Sequence, residues 1–570
     1  MLMQWAADCL KPLVPLDAAQ IERLMERPPR PELGDAAFPC FALAKQLKQA
    51  PQAIAAELAA KLRSKEGEIR AVAEGPYVNL FFEPAVWGPR VLKEALLPAY
   101  GRSTEGRGTK VAIDMSSPNI AKPFGVGHLR STMIGNALAN LYRASGYEVV
   151  TVNHLGDWGT QFGKLIAAFK RWGDKDALER DPIRESLKLY VKFHDELEEE
   201  PELEEEARAW FRKLEEGDEE AGALRRYFVD ASLQEFDRVY ARLGISFDYV
   251  LGESFYNDKM AAVVDTLSER GLLEDSDGAK VVRLDAQGMP PCLIMKSDGT
   301  TIYATRDLAT AFYRTRELGA DRLLYVVGSE QSLHFQQVFA VLDALEAGWA
   351  DRCEHVAFGL MKFEGKKMST RRGKVVFLDD VLDEAVRKAE AIIAEKNPTL
   401  PQAAEVAAAV GVGAIVFGDL KNSRQLEVNF SLEDALRFEG ETGPYVQYTY
   451  ARAVSLLDKG LQRYPNEYGD DEQEDGIRPE ALAGHLAWEC LKQLTEYPDA
   501  IRGAVRENEP SILARYLLEM SKKFNRYYRH ERVLSSDEEE SRTRLLLTAA
   551  IAGVLKNGLA LLGIGAPRQL

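Results

Sequence analysis

Cysteine is scarce in this sequence. Five residues among 570 (Cys9, Cys40, Cys292, Cys353 and Cys490) stand far apart, with no CxxC pair and no histidine at ligand spacing. That argues against a disulfide framework or a zinc site and for a reducing compartment. Long hydrophobic runs are missing too. No stretch approaches ~18 uninterrupted apolar residues, so no membrane span is expected. The opening MLMQWAADCLKPLVPLD has no basic region ahead of a long apolar run and does not read as a signal peptide. There is no GxxxxGK[ST] phosphate loop. Net positive charge is also absent: 72 Lys and Arg against 89 Asp and Glu leave −17. This argues against a protein that coats nucleic acid by bulk charge, while a local basic surface stays open. A cytoplasmic chain without a membrane partner is the expectation.

What is present is ordinary globular composition: 46% apolar, 28% charged and 9% aromatic residues. At ~100–200 residues per domain this is room for roughly three to five domains. The first hundred residues read as a small α+β module, with helical spacing in PQAIAAELAAKLRSKEG (51–67) and a strand pattern in YVNLFFE (77–83). GRSTEGRGTK (101–110) has linker composition. TKVAIDMSS (109–117), a Pro/Gly loop, the helix LRSTMIGNALANLYRASG and the apolar YEVVTVNHLG give a β–loop–α–β order, the mark of a parallel nucleotide-binding sheet. Strand-like runs recur at 322–328 and 355–363. Residues 195–220 hold fourteen acids against three bases, the pattern of a solvated helical insertion or an interaction tail. Beyond about residue 430 the pattern is helical throughout, and an all-α bundle fits.

Two loops carry chemistry. Ser116 to His128 (SSPNIAKPFGVGH) lies between a predicted strand and a predicted helix, where backbone N–H groups and a helix N-terminus can meet a phosphate. Lys122 adds a charge, His128 a donor, and Gly125 and Gly127 allow close backbone approach. Alone, this stretch is a weak signal and reads more readily as a tight turn. Downstream, Gly365 to Lys374 (GKKMSTRRGK) gathers five cations, two hydroxyls and two glycines, suited to charge on a leaving pyrophosphate or to a plain solvated turn.

The pair GVGH (125–128) and KMST (367–370) resembles the HIGH and KMSKS signatures of class I aminoacyl-tRNA synthetases. SSPNIAKP (116–123), LGDWGTQFG (155–163), DGTTIYATRDLATA (298–311), KKMSTRRG (366–373) and DALRFEGETGPYVQY (434–448) narrow the resemblance to the arginyl-tRNA synthetases. It extends to PPRPELGDAAF (28–38) and GPYVNLFF (75–82), so it covers nearly the whole chain. The fold it implies is α/β: a Rossmann-type parallel-sheet catalytic domain (106–430, with an acidic helical insertion around 170–250), an N-terminal α+β tRNA-binding domain (1–105) and a C-terminal all-helical anticodon-binding bundle (431–570).

The activity it implies is arginine–tRNA ligation. L-arginine and ATP give arginyl-adenylate and pyrophosphate, and the arginyl group then passes to the 3′-end of tRNA(Arg). Mg²⁺ accompanies ATP rather than occupying a protein cage, and a monomer is the family default. By the resemblance, His128 and Lys122 sit on the ATP phosphates, and Gly125, Gly127 and Met368 line the nucleotide. Lys367 and Ser369 close on the pyrophosphate. Tyr303 and Asp307, four apart and on one face if helical, meet the guanidinium, whose rigid fork of donors calls for a carboxylate. Asp114 and Asn119 hold the α-amino end, and Gln331 is a further substrate contact. For tRNA, Tyr77 and Asn79 match D-loop positions and share a strand face. Between Arg515 and Arg532, six cations interleave with Tyr516, Phe524, Tyr527 and Tyr528. Tyr516 and Phe524 are expected in the core, Tyr527 and Tyr528 against the anticodon.

Five positions depart from the family pattern: Gly125 for a usual His, Thr370 for the second Lys of KMSKS, Ser332 for Asp, Tyr450 for His, and Leu570 for a terminal Met. They motivate two other readings, a diverged paralogue with altered charging and a catalytically silent tRNA-binding protein. The charge is sharply localised. Residues 195–220 carry −11 and residues 466–475 carry −6, which together equal the whole net charge.

Overall fold

The computed structural model describes residues 1–62, 67–120, 122, 124–299, 302–363, 377–464 and 477–570. At its centre lie five strands, Lys110–Asp114, Glu148–Asn153, Tyr249–Val250, Arg322–Tyr325 and Cys353–His355. Across the sheet they run 353–355, 322–325, 110–114, 148–153, 249–250, and each neighbouring pair is parallel. Apolar runs such as VAI and LLY suit strands covered on both faces. Sequence order reverses between 110–114 and 322–325, so a crevice opens at the carboxyl ends of those two strands. Asp114 and Tyr325 stand there in register.

The helix Val126–Ala144 crosses over between the first two strands. Gly135 lets it lie close, since a Cβ there would fall 2.3 Å from the Met115 Cβ. The run 355–363, read as one strand, is two: Cys353–His355 joins the parallel sheet, and Met361–Phe363 pairs in parallel with Val428–Phe430 as a separate ribbon. A three-stranded antiparallel sheet, Glu274–Ser276, Ala279–Val282 and Cys292–Met295, was not anticipated. Its signal was the Asp277-Gly278 pair, which adopts φ +51° and +81° as a type I′ hairpin turn requires.

Between the second and third strands lie five helices, Thr160–Trp172, Lys175–Arg180, Pro182–Glu196, Glu202–Glu215 and Glu219–Leu243. The acidic helix Glu202–Glu215 buries only Leu203, Ala207 and Leu214. Its neighbour approaches closely through Gly163, where a Cβ would lie 2.1 Å from the Ala207 carbonyl oxygen. Its acids face Lys164 and Arg171 or solvent.

The N-terminal region is an antiparallel sheet of Ala36–Pro39, Tyr77–Phe82 and Ile69–Glu74 with the helix Pro51–Leu62 on it. The C-terminal helices Gly443–Arg463, His485–Thr495, Tyr497–Arg506, Ser511–His530 and Glu538–Leu561 form the bundle. Two helices, Ala403–Leu420 and Glu538–Leu561, are long and apolar enough by composition to cross a membrane, although no span was expected. Their apolar windows are 67% and 56% buried inside the protein, as core helices are.

Candidate active site at the sheet crevice

The crevice is set by two strained residues. Ser116 and Ser117, directly after the first strand, adopt φ +73° and +50°, a conformation that costs non-glycine residues about 1–3 kcal/mol each. Hydrogen bonds hold them there. Ser116 N–H donates to Ser131 Oγ (2.9 Å) and Ser117 N–H to Asn153 Oδ1 (3.1 Å). The Ser116 hydroxyl meets Tyr240 (2.7 Å) from the insertion. The turned chain brings Asn119 alongside Gly156, as a parallel bridge. A Cβ at Gly156 would sit 2.2 Å from Asn119 Oδ1, so any larger residue there would displace the Asn119 side chain.

The GVGH segment opens the next helix. Gly125 N–H donates to His128 Nδ1 (3.3 Å), which leaves the proton of the neutral ring on Nε2. Desolvation, with Lys122 adding to it, pushes His128 down to about 4. At neutral pH it is therefore an uncharged donor at a helix N-terminus, aligned with the positive end of the helix dipole. A Cβ at Gly127 would meet open space. The Lys122 ammonium lies 5.7 Å from the Tyr190 ring centroid.

Asp114 is already engaged. Its Oδ2 lies 2.7 Å from Arg314 Nη2, a guanidinium almost wholly buried, and its Oδ1 accepts from Ser117 Oγ (2.8 Å). Tyr303 and Asp307 occupy positions one and five of the helix Tyr303–Arg316, as the spacing predicted. Tyr303 is exposed. Asp307 Oδ2 accepts from His334 Nε2 at 2.5 Å. Gln331 ends the short helical turn Ser329–Gln331 at the mouth of the crevice and is exposed.

Several residues here escaped the sequence reading. Glu253 is partly buried, 3.5 Å from Arg306. Burial pushes its carboxyl up to about 7, with Asp307 and Asp157 adding to the rise and Arg306 and Lys122 opposing it. Asp157, from LGDWG, pairs with Arg225 of the insertion (2.8 Å) and accepts from Ser254 Oγ and N–H. His154, at the end of the second strand, is pushed down by burial within reach of Asp114, Arg314, Asp307 and Arg306. Asp157 lies within the quoted motif LGDWGTQFG, but its role, like those of Glu253 and His154, is defined by partners far along the chain.

Lys367, Met368 and Ser369, together with residues 466–475, lie outside the described residues. The nearest described residues are Phe363 before KMST and Phe377 after it. The Met361–Phe363 ribbon leads toward it. After it, Phe377 bridges Gly125, and Leu378 N–H donates to the Phe124 carbonyl (3.0 Å).

Of the four candidates for tRNA, two require correction: Asn79 and Tyr527 are buried and are not available to meet it. Tyr527 is 1% exposed. On the helix Ser511–His530 it continues the buried stripe Leu517, Met520 and Phe524, whose three- and four-residue steps define the core face. Tyr528, one residue on, is 40% exposed and lies 5.2 Å from the Arg452 guanidinium, which also covers exposed Tyr448 at 4.7 Å. Tyr448 and Arg452 were missed because they sit on a different helix, Gly443–Arg463. Tyr77 stands edge-on to exposed Phe41 (5.6 Å). Asn79 is buried on the same strand, its amide donating to Glu74 (3.3 Å). Tyr516 and Phe524 are core residues, as expected.

The family model "tRNA synthetases class I (R), catalytic domain" matches residues 92–432, "Arginyl tRNA synthetase N terminal domain" residues 3–82, and "DALR anticodon binding domain" residues 446–570. Arginine–tRNA ligase 2 of Bacillus anthracis is 52% identical over 557 residues, 97% of each chain. The arginine–tRNA ligase of Exiguobacterium sibiricum is 51% identical over the same share. Among solved structures, the arginyl-tRNA synthetase of Thermus thermophilus superposes with a TM-score of 0.81 at 28% identity, over 100% of this chain and 99% of that one.

Proposed function

The chain belongs to the class I arginyl-tRNA synthetases and is an arginine–tRNA ligase, and on that premise we propose how its residues divide the work. MgATP enters over the GVGH helix. The Nε2–H of His128 and the ammonium of Lys122 meet its phosphates, while Gly125, open Gly127 and Met368 line the nucleotide. Lys367 and Ser369 neutralise the departing pyrophosphate. The arginine guanidinium meets Asp307 under Tyr303, with Gln331 at the mouth. Asn119, with Asp114 already steadied by Arg314, takes the α-amino end.

So placed, the substrate carboxylate oxygen attacks the α-phosphorus and the P–O bond to pyrophosphate breaks. A ribose hydroxyl at the 3′-end of tRNA(Arg) then attacks the activated carbonyl carbon, and AMP leaves. No covalent bond to the protein forms, so catalysis is positioning and charge stabilisation. Mg²⁺ travels with ATP and needs no protein cage. We place the enzyme in the cytoplasm as a monomer, with tRNA(Arg), L-arginine and ATP as its partners. Tyr528 with Tyr448 and Arg452 is the proposed anticodon-side platform, and Tyr77 with Phe41 the D-loop side.

The observation that carries this reading is the carboxylate of Asp307, held by His334 with its second oxygen unengaged among the described residues; a helix N-terminus with a neutral histidine donor follows the first strand. Identity of 52% across 97% of a protein named a ligase supports it over a silent tRNA-binding protein. The test is arginylation of a tRNA(Arg) transcript with each of the twenty amino acids. Charging with arginine alone is expected. Charging with another amino acid, or none, overturns the assignment.

A further inference from the structure

Two residues beyond His128, Arg130 is buried, with 1% of its side chain exposed. A buried guanidinium is costly unless its charge is balanced, and here three parts of the chain surround it. Asp419 balances the charge and two carbonyls take one nitrogen, while Nε makes an ion pair but no hydrogen bond among the described residues. Nε lies 2.9 Å from Asp419 Oδ1, itself fully buried near the end of the helix Ala403–Leu420. Nη1 donates to the carbonyls of Gly359 (2.6 Å) and Leu426 (2.8 Å). An acid at a helix C-terminus is opposed by the helix dipole, so Asp419 depends on this guanidinium.

The two carbonyls stand at the head of the ribbon. Gly359 is two residues before the strand Met361–Phe363, and Leu426 two before Val428–Phe430. Val428 N–H closes the pair onto the Leu360 carbonyl (2.9 Å). The chains are close enough for one nitrogen to reach both because residue 359 has no side chain: a Cβ would lie 2.6 Å from the Leu426 oxygen. The ribbon precedes KMST, and the chain after KMST returns to Phe124 and Gly125. The described chain on both sides of that stretch, Gly359 before it and Phe377 and Leu378 after it, is thus tied to the turn and helix that carry His128.

We propose that Arg130 is a positioning residue for adenylation, setting the ribbon against the GVGH helix so that the two signatures share one ATP. This rests on the ATP-site reading given above. Neutralised by Asp419, Arg130 acts by geometry rather than by charge on the phosphates. A lysine keeps the charge but lacks the fork that serves a carboxylate and two carbonyls together.

ATP–pyrophosphate exchange, arginine affinity by calorimetry and thermal melting on the full chain test it, with tRNA(Arg) present in the exchange assay. Folded Arg130→Lys is expected to lose about 10²-fold in kcat, the scale of an ångström-level misplacement, with arginine affinity unchanged. Gly359→Ala, which wedges the ribbon while keeping Arg130, is expected to lose kcat in the same way and serves if Arg130→Lys does not fold. Because Arg130 acts through the KMST stretch, adding Arg130→Lys to Lys367→Ala should cost no more than about twofold further. A simple packing defect would instead multiply through. Full kcat in a folded Arg130→Lys or Gly359→Ala, or a multiplicative loss in the double variant, overturns the inference alone. Unchanged exchange in Lys367→Ala overturns the ATP-site reading and this inference with it.

Discussion

His334 Nε2 lies 2.5 Å from Asp307 Oδ2, joining the third residue of the helix Ser332–Leu345 to the fifth of Tyr303–Arg316. A carboxylate only accepts, so the imidazole donates, and one oxygen of Asp307 is fixed. Among the described residues the other oxygen has no hydrogen-bond partner, and it is free to receive a guanidinium.

Asp307→Asn is accordingly expected to raise the arginine KM on the order of 10²–10³-fold, with the ATP KM unchanged, because truncating one side of a desolvated charge pair costs several kcal/mol. His334→Gln, which keeps a donor, should cost far less than His334→Phe. Steady-state aminoacylation decides it, and an unchanged arginine KM in Asp307→Asn refutes the pairing.

His128 is neutral down to about pH 4, so its titration does not shape the pH–rate profile between 5 and 8. His128→Asn should lower kcat about 10²-fold, the scale of one transition-state donor, while leaving the profile's apparent pKa values in place. At the neighbouring position, φ is −89°, open to any L-residue. Gly125→His should then raise kcat/KM for ATP if the missing imidazole limits phosphate binding; no gain means that the Gly125–Phe377 bridge has taken over.

Glu253 sets a pH dependence of stability. Its folded pKa, about 7, lies above the usual 4.5, so the native state holds this proton more tightly than the unfolded chain. The contribution is complete below pH 4.5 and is lost as pH rises through 7. Glu253→Gln never ionises. Its Tm relative to the parent should climb between pH 5 and pH 8, corresponding to on the order of 1–3 kcal/mol. A pH-independent difference would contradict the desolvation argument.

The adjacent tyrosines of the bundle separate structure from recognition. Tyr528→Ala should raise the tRNA KM about 5- to 100-fold, the range of one lost base stack, with the melting temperature unmoved. Tyr527→Ala should instead cost about 3–5 kcal/mol of stability as a core truncation. Melting curves and charging kinetics on the same two proteins read both effects.

The sheet, its crossover helix and the helical placement of Tyr303 and Asp307 were legible in the sequence because each is a local pattern: an apolar run, a glycine stop, a four-residue step. The site's supporting charges were not. Arg314 is read as one more base in YRTR until a fold puts Asp114 against it, and Glu253 as a loop acid until burial raises it. Tyr527 failed differently. Aromatics interleaved with cations look alike on either face of a helix, and only the packing against the neighbouring helices tells which face is wet.

The crevice already contains arginines. Arg314 answers Asp114, Arg225 answers Asp157 and Arg306 answers Glu253, each a guanidinium laid against a carboxylate. Asp307 repeats the acid half of this arrangement but faces an imidazole instead. On the proposed reading, the crevice is a set of such pairs with one cation left out, and the arginine substrate is the missing member. Citrulline, with nearly the same shape and no charge, would leave the set incomplete.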